Sequence, residues 1–333
     1  MKSYSVGIGI TNKCNFNCSH CYSREGKQYN LNYSQIFDLI DKIPIRSINF
    51  GTGESILNPD FIPVFELLFD RNIKCSLTSN GYSIMNLTDE ILKKFNDIDV
   101  SVDYGESWEN DLFRSSGSFE VAMYAIRKLV DLGVEVSIAS CMTNMNFSEF
   151  GRLFEIVKTL GINLRVNIYK PVYNKNLTLT YDQFWNGVKY LLSYGELIAC
   201  SEPIVNTIIK DTRISLGCNC GKDSFRIRPC GDIVPCVYWG ESNLPLQNIS
   251  AQAIENDEQF QRIRKIPEFC HDCEDLAFCE GGCGARRYYN DLLLPDPYCY
   301  RYLGREEPKL KWSFAEKSAD LVHANYLCTF ILK

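Results

Sequence analysis

The feature that most narrows the fold is an alternation running through residues 4–200. Short β-rich apolar runs take turns with longer stretches of helical period. YSVGIGI (4–10), RSINF (46–50), IKCSLT (73–78), IDVSV (98–102), VEVSIAS (134–140) and NLRVNIY (163–169) read as strands. Residues 33–43, 60–71, 88–96, 118–132 and 147–160 read as helices, with a sixth in TYDQFWNGVKYLLSYG (180–195). Ser118 opens one helix, and Gly133 and Gly161 close two. Six βα units in series predict a parallel sheet, either a six-unit partial barrel or an open doubly wound sheet. The polar and glycine-rich segments TNKCNFNC, GTGES, TSNG, DYG, TNMN and KPVYN each follow a strand. In a β/α barrel the C-terminal face carries the chemistry, so one site is expected there.

After about residue 210 the texture changes. Glycine, proline and cysteine rise and helical periodicity fades. The chain therefore divides into a barrel over 1–210, a small cysteine-rich unit over 211–310 and a tail over 311–333 expected to pack back on the core. Sixteen cysteines are many for a chain of 333 residues, and they are clustered. Three lie in the first 21 residues, nine between Cys218 and Cys299, and only Cys75, Cys141, Cys200 and Cys328 are scattered. A disulfide framework would not spare most of the first 200 residues, so metal ligation is the expected use. Within TNKCNFNCSHC, Cys14, Cys18 and Cys21 follow a strand end. Three thiolates from one loop suit a four-iron cluster with one iron left open for another ligand. Zinc with a fourth ligand such as His20 is the alternative, and the irregular spacing weighs against it.

At this point the sequence resembles the radical S-adenosylmethionine (SAM) enzymes. CNFNCSHC matches their CxxxCxΦC motif, with His20 in the aromatic position. The resemblance implies a [4Fe–4S] cluster on Cys14, Cys18 and Cys21, with SAM on the open iron. It also implies reductive cleavage to a 5′-deoxyadenosyl radical that takes a hydrogen atom from a C–H bond. FGTGES (50–55) resembles the Gly-Gly-Glu segment that meets the methionine amine, with Thr52 in place of the first glycine and Gly53 and Glu54 retained. SVD (101–103) resembles the ribose-contacting segment, which implies Ser101 and Asp103. NDLFRSSGSF (110–119) resembles the segment whose arginine meets the SAM carboxylate, which implies Arg114.

The second group, CNCGKDSFRIRPCGDIVPC (218–236), CHDCEDLAFCEGGC (270–283) and Cys299, is similar to the seven-cysteine SPASM domain of peptide-modifying radical SAM enzymes. That resemblance implies two auxiliary [4Fe–4S] clusters, making three in all. One would take Cys270, Cys273, Cys279 and Cys299. The other would take Cys218, Cys236 and Cys283, with Cys220 favoured over Cys230 as fourth ligand. Paired structural zinc sites are the alternative. Cys141, at the end of the fifth strand, is a candidate hydrogen donor to a substrate radical, against the plainer reading of a packed thiol.

The resemblance implies a maturase of a ribosomally made precursor peptide, forming a thioether or carbon–carbon cross-link or excising a tyrosine-derived fragment. A peptide epimerase, a formylglycine-generating sulfatase maturase, a cofactor-biosynthesis enzyme and a zinc-stapled non-enzymatic module are the other readings. The first strand begins at about residue 4, so recognition of the peptide leader is expected to come from a separate small partner or from direct contact. A reductant such as flavodoxin or ferredoxin is implied as electron donor. The net charge of −6 and the lack of a basic run make nucleic acid an unlikely partner. No apolar run approaches the roughly 20 residues of a membrane helix, and no signal peptide is legible, so a cytoplasmic protein is expected.

Overall fold

The computed structural model describes all residues except 1, 24–25, 212–213, 215–216, 317–320 and 323–328. Six parallel strands follow one another: β1 (Tyr4–Ile8), β2 (Ile45–Phe50), β3 (Lys74–Ser79), β4 (Asp97–Ser101), β5 (Val136–Met142) and β6 (Asn163–Ile168). Their crossovers hold α1 (Tyr33–Lys42), α2 (Phe61–Asp70), α3 (Tyr82–Asn86), α4 (Asp89–Leu92), α5 (Ser107–Phe113), α6 (Ser118–Asp131) and α7 (Phe150–Leu160), and α8 (Tyr181–Tyr194) follows β6. This is the six-unit partial barrel. The doubly wound alternative is excluded because β1 to β6 lie side by side in chain order. Almost every strand side chain among the apolar positions is buried, as sheets covered by helices require.

Local chemistry places the helix ends. Asn32 and Thr180 each form a reciprocal capping box, with Gln35 and Gln183 respectively. Gly161 closes α7 in the left-handed region at φ 66°, where a Cβ is disfavoured. The helix expected over 88–96 shrinks to the single turn of α4, because residues 93–96 turn instead to feed β4, where Asn96 N–H donates to Cys75 O. The short helices α3 and α5 replace segments that read as loops.

The sheet does not stop at residue 210. Strand β8 (Ser224–Ile227) pairs parallel with β1, and β9 (Asp232–Val234) and β10 (Leu244–Pro245) continue outward in antiparallel fashion. At the other edge β7 (Leu197–Cys200) and β11 (Thr329–Leu332) extend it. Among the described residues the order is β10-β9-β8-β1-β2-β3-β4-β5-β6-β11-β7. The tail thus does more than pack on the core: its residues 329–332 form a strand between β6 and β7. Cys328 lies outside the described residues.

Buried ions tie the pieces together. Arg286 is 2 % exposed and spans Glu202, after β7, and Asp296 in the cysteine-rich unit. Asp296 also accepts from Cys283 N at 2.8 Å and from Tyr298 N at 3.0 Å. One buried carboxylate therefore sets the backbone next to two cysteine positions, with the charge pairing that burial demands.

Candidate active site

The loops after β1 to β6 meet at one face, as the strand-end polar segments foretell. Cys14, Cys18 and Cys21 line a single cavity there with His20, Gly53, Glu54, Ser101, Arg114 and Cys141. Asn80, Asn167 and Lys170 join them.

The cysteine loop is clamped to the β2 loop through its backbone. Glu54 N donates to Lys13 O at 2.7 Å. Gly53 sits at φ 60°, and a Cβ there would lie 2.5 Å from Lys13 O and 2.6 Å from Thr11 O. Only glycine permits this approach. Its neighbour Thr52 is a β-branched residue at φ 112°, a strained conformation of the kind that collects at working sites. Its hydroxyl lies 3.0 Å from Tyr22 Oη.

Glu54 is buried, and its carboxylate organises the β3 loop. Oε1 accepts from Ser79 Oγ at 2.5 Å and Ser83 N at 2.8 Å, and Oε2 accepts from Asn80 N at 3.0 Å. The Ser83 hydroxyl is a further donor to this carboxylate. Burial nonetheless raises its pKa, against the pull of those donors. Asn80 in turn donates from Nδ2 to Asn15 Oδ1 at 2.9 Å and lies 3.6 Å from Cys14 Sγ. Phe16 N–H points at the same sulfur from 3.4 Å.

Asp103 stands behind the cavity wall rather than in it. Its Oδ2 accepts from Arg114 Nε at 2.6 Å, and Oδ1 accepts from Cys141 N at 2.7 Å and Ser140 Oγ at 3.3 Å. His20 Nε2 is 3.6 Å away, and its ring stacks on Phe113 at 4.7 Å. Burial acts to raise the Asp103 pKa, but Arg114, His20 and the Cys141 N–H hold it below the ordinary value. Asp103 aims Arg114, whose Nη1 reaches within 4.0 Å of Cys18 Sγ. Burial, with Asp103 second, pushes the Cys141 thiol up to about 12, so it keeps its S–H hydrogen at neutral pH.

The second cysteine group also assembles. The β8–β9 hairpin pairs Arg226 with Val234 and Ile227 with Ile233. That pairing brings Cys220, before β8, and Cys236, after β9, to the same end. The Cys220 thiol hydrogen-bonds with Cys218 and Cys236, and Cys283 packs in the same cluster. Cys230 sits at the opposite end, in the turn closed by Gly231 N to Arg228 O at 2.9 Å, and is exposed. Cys270, Cys273, Cys279 and Cys299 together line a separate small cavity. All the cysteines among the described residues are free thiols, which agrees with the exclusion of a disulfide framework. Among the described residues no three His, Cys, Asp or Glu side chains already stand at metal-holding separation. The donor sets nevertheless fit iron–sulfur groups: soft sulfurs in threes and fours, with N–H donors directed at Cys14, as such sulfurs require.

Residues 8–157 match the Radical SAM superfamily. The chain carries a radical SAM domain. It is 25 % identical over 330 residues to the mycofactocin maturase MftC of Mycobacterium tuberculosis, covering 90 % of this chain and 83 % of that protein. Among solved structures it is similar to Streptococcus suis SuiB bound to its precursor peptide SuiA, at TM-score 0.72 and 16 % identity, covering 89 % of this chain and 76 % of that one. It is also similar to anSMEcpe with bound AdoMet, at TM-score 0.69 and 18 % identity, covering 90 % and 91 %. These likenesses confirm the radical SAM partial barrel with a C-terminal extension of the SPASM kind. The protein is an enzyme.

Residues that the motifs missed are Asn80, Lys170 and Tyr238. Asn80 was within reach, since TSNG follows a strand. Lys170 was equally within reach, since it opens KPVYN after the sixth strand, whereas Tyr238 enters the cavity only through the folding of the β8–β9 hairpin. Among the described residues no helix is long and apolar enough to cross a membrane.

Proposed function

We propose that this radical SAM enzyme modifies a ribosomally made precursor peptide, by cross-linking it through a thioether or carbon–carbon bond or by excising a tyrosine-derived fragment. The single observation that carries the reading is the cavity shared by Cys14, Cys18 and Cys21 with Gly53, Glu54, Ser101 and Arg114 at the C-terminal strand ends. The peptide substrate is supported by relatives: MftC is named a maturase, and the SuiB structure holds a precursor peptide.

Cys14, Cys18 and Cys21 would hold a four-iron cluster, which together with SAM would supply one-electron radical chemistry. This chain's residues would bind and orient. Gly53 and Glu54 would meet the methionine end of SAM, Arg114 would pair with its carboxylate, and Ser101 would meet the ribose. Asp103 is a positioning residue acting through Arg114. His20, stacked on Phe113, closes the wall behind the loop. Cys141 keeps a neutral S–H group at the cavity and would donate its hydrogen atom to a substrate radical, the thiyl left behind taking back one electron from the reductant and a proton. Cys218, Cys220, Cys236 and Cys283 would hold one auxiliary cluster, and Cys270, Cys273, Cys279 and Cys299 the other. A leader-recognising small partner and a flavodoxin or ferredoxin reductant complete the system, in the cytoplasm.

The test is anaerobic reconstitution with iron and sulfide, followed by assay of 5′-deoxyadenosine from SAM under a strong reductant. About 12 irons per chain, from three four-iron clusters, with cleavage abolished when Cys14, Cys18 and Cys21 are all replaced by alanine, support the reading. Zinc in place of iron, with no SAM cleavage, overturns it.

A further inference from the structure

A second cavity, of about 360 Å³, adjoins the first. The two share Tyr22, Ser23, Thr52 and Tyr238 as a common partition. The partition is built from interlocked groups. Tyr22 meets Tyr238 edge-on at 5.3 Å, its hydroxyl bonds to Thr52, and Lys170 Nζ lies 5.2 Å above the Tyr238 ring.

The far wall is aromatic and fixed. Trp239 packs on Tyr288 at 4.3 Å, and Tyr288 meets Tyr289 edge-on at 5.0 Å. Tyr289 Oη donates to Tyr238 O at 2.7 Å, and Tyr288 Oη donates to Glu241 at 3.0 Å. Tyr173, 56 % exposed, stands at the mouth.

The charge of this wall is the reverse of the whole chain's. Arg226 and Arg228 both line it, and no Asp or Glu does among the described residues, while the chain carries −6 overall. Arg226 is buried, with Nη1 on Asn49 Oδ1 at 3.1 Å. Arg228 is held by the carbonyls of Trp239 and Gly240. Both are rigidly placed, as recognition of an anion wants. A concave, aromatic site with a few fixed polar groups is the usual form of a ligand pocket.

We propose that this chamber is the substrate subsite, and that it receives an aromatic side chain of the peptide together with an adjacent carboxylate. The aromatic walls take the ring, the two arginines take the carboxylate, and the shared partition sets the ring's residue beside the cysteine cavity. The assignment rests on the peptide-modifying reading above. The carboxylate comes either from a chain terminus or from a neighbouring acidic side chain.

The test uses the reconstituted wild-type enzyme with SAM, under anaerobic calorimetry. The probes are N-acetyltyrosine, N-acetyltyrosinamide, N-acetylalanine and N-acetyl-aspartyl-tyrosinamide. N-acetyltyrosine is expected to bind at least tenfold tighter than N-acetylalanine. At least one of the two carboxylate-bearing tyrosine probes is expected to bind at least tenfold tighter than N-acetyltyrosinamide, and which of them does so identifies the source of the carboxylate. Tyr173→Ala, at a position 56 % exposed, should weaken the tighter probe fivefold or more, with thermal unfolding confirming that the variant is folded. Equal binding of all four probes, or binding unaffected by Tyr173→Ala, overturns the subsite. The same samples are assayed for SAM cleavage. Cleavage without probe preference sinks only the chamber assignment, whereas no cleavage sinks the enzymatic reading whatever the probes do.

Discussion

Asp103→Asn is the most informative single change. The carboxylate is flanked on both sides by donors: Cys141 N–H at 2.7 Å on Oδ1 and Arg114 Nε–H at 2.6 Å on Oδ2. An asparagine amide offers one oxygen and one NH₂ in the same plane. Either orientation sets NH₂ against one of those N–H groups. The variant also leaves the Arg114 guanidinium, 9 % exposed, without its counter-ion. An unsatisfied buried donor costs about 1–3 kcal/mol, and a lost charge-assisted bond about 1.5–3 kcal/mol. The expected loss is therefore about 3–5 kcal/mol, the range found when one partner of a buried ion pair is removed. Anaerobic urea unfolding of wild type and variant measures it. The acid side gives an independent check. The folded Asp103 pKa lies below the ordinary 3.8, so its stabilisation is full above that value and fades as pH falls through the folded value. The variant should show a flatter stability profile below about pH 4 than wild type. A loss under about 1 kcal/mol, or an unchanged acid limb, refutes the positioning argument.

Two further outcomes follow from the geometry. Cys220→Ala should lower iron by about four atoms per chain while Cys230→Ala leaves it unchanged, read by iron and sulfide assay; the reverse pattern would move the fourth ligand to the hairpin turn. At Thr52, the φ of 112° stores about 1–3 kcal/mol, and the Tyr22 contact returns about 1 kcal/mol. Thr52→Gly should therefore be the milder variant and Thr52→Val, which keeps the strain and loses the hydroxyl, the more destabilised one in thermal unfolding; Gly falling below Val contradicts the strain assignment.

The legible parts of this chain were those written locally. Strand alternation and glycine stops located six βα units, and cysteine spacing located the two cysteine-bearing regions that the fold gathers. What escaped depends on contacts between distant residues. The β8–β1 pairing joins residues 224–227 to 5–8, and nothing in SFRI announces a barrel-edge strand. The same pairing helps bring Tyr238 to the cavity, where Lys170 Nζ lies 5.2 Å above its ring. The bonds from Arg114, Ser140 and Cys141 to Asp103 join segments far apart in the chain and were not written in SVD. The hairpin that sets Cys220 and Cys230 at opposite ends was likewise not written in their spacing.

The placement of β11 bears on how the molecule is made. Among the described residues, strand β7 reaches the sheet only through β11, and Thr329 N bonds to Ser201 Oγ across 128 residues of chain. Translation proceeds from the N-terminus at about 5–20 residues per second, so β7 emerges roughly 6–26 s before its neighbour exists. For that interval β6 is a bare edge bearing unsatisfied backbone groups, the kind of surface that templates aggregation. A nascent chain stalled between residues 200 and 329 should therefore expose that edge, and holding it apart from other chains is work for a chaperone rather than for the fold.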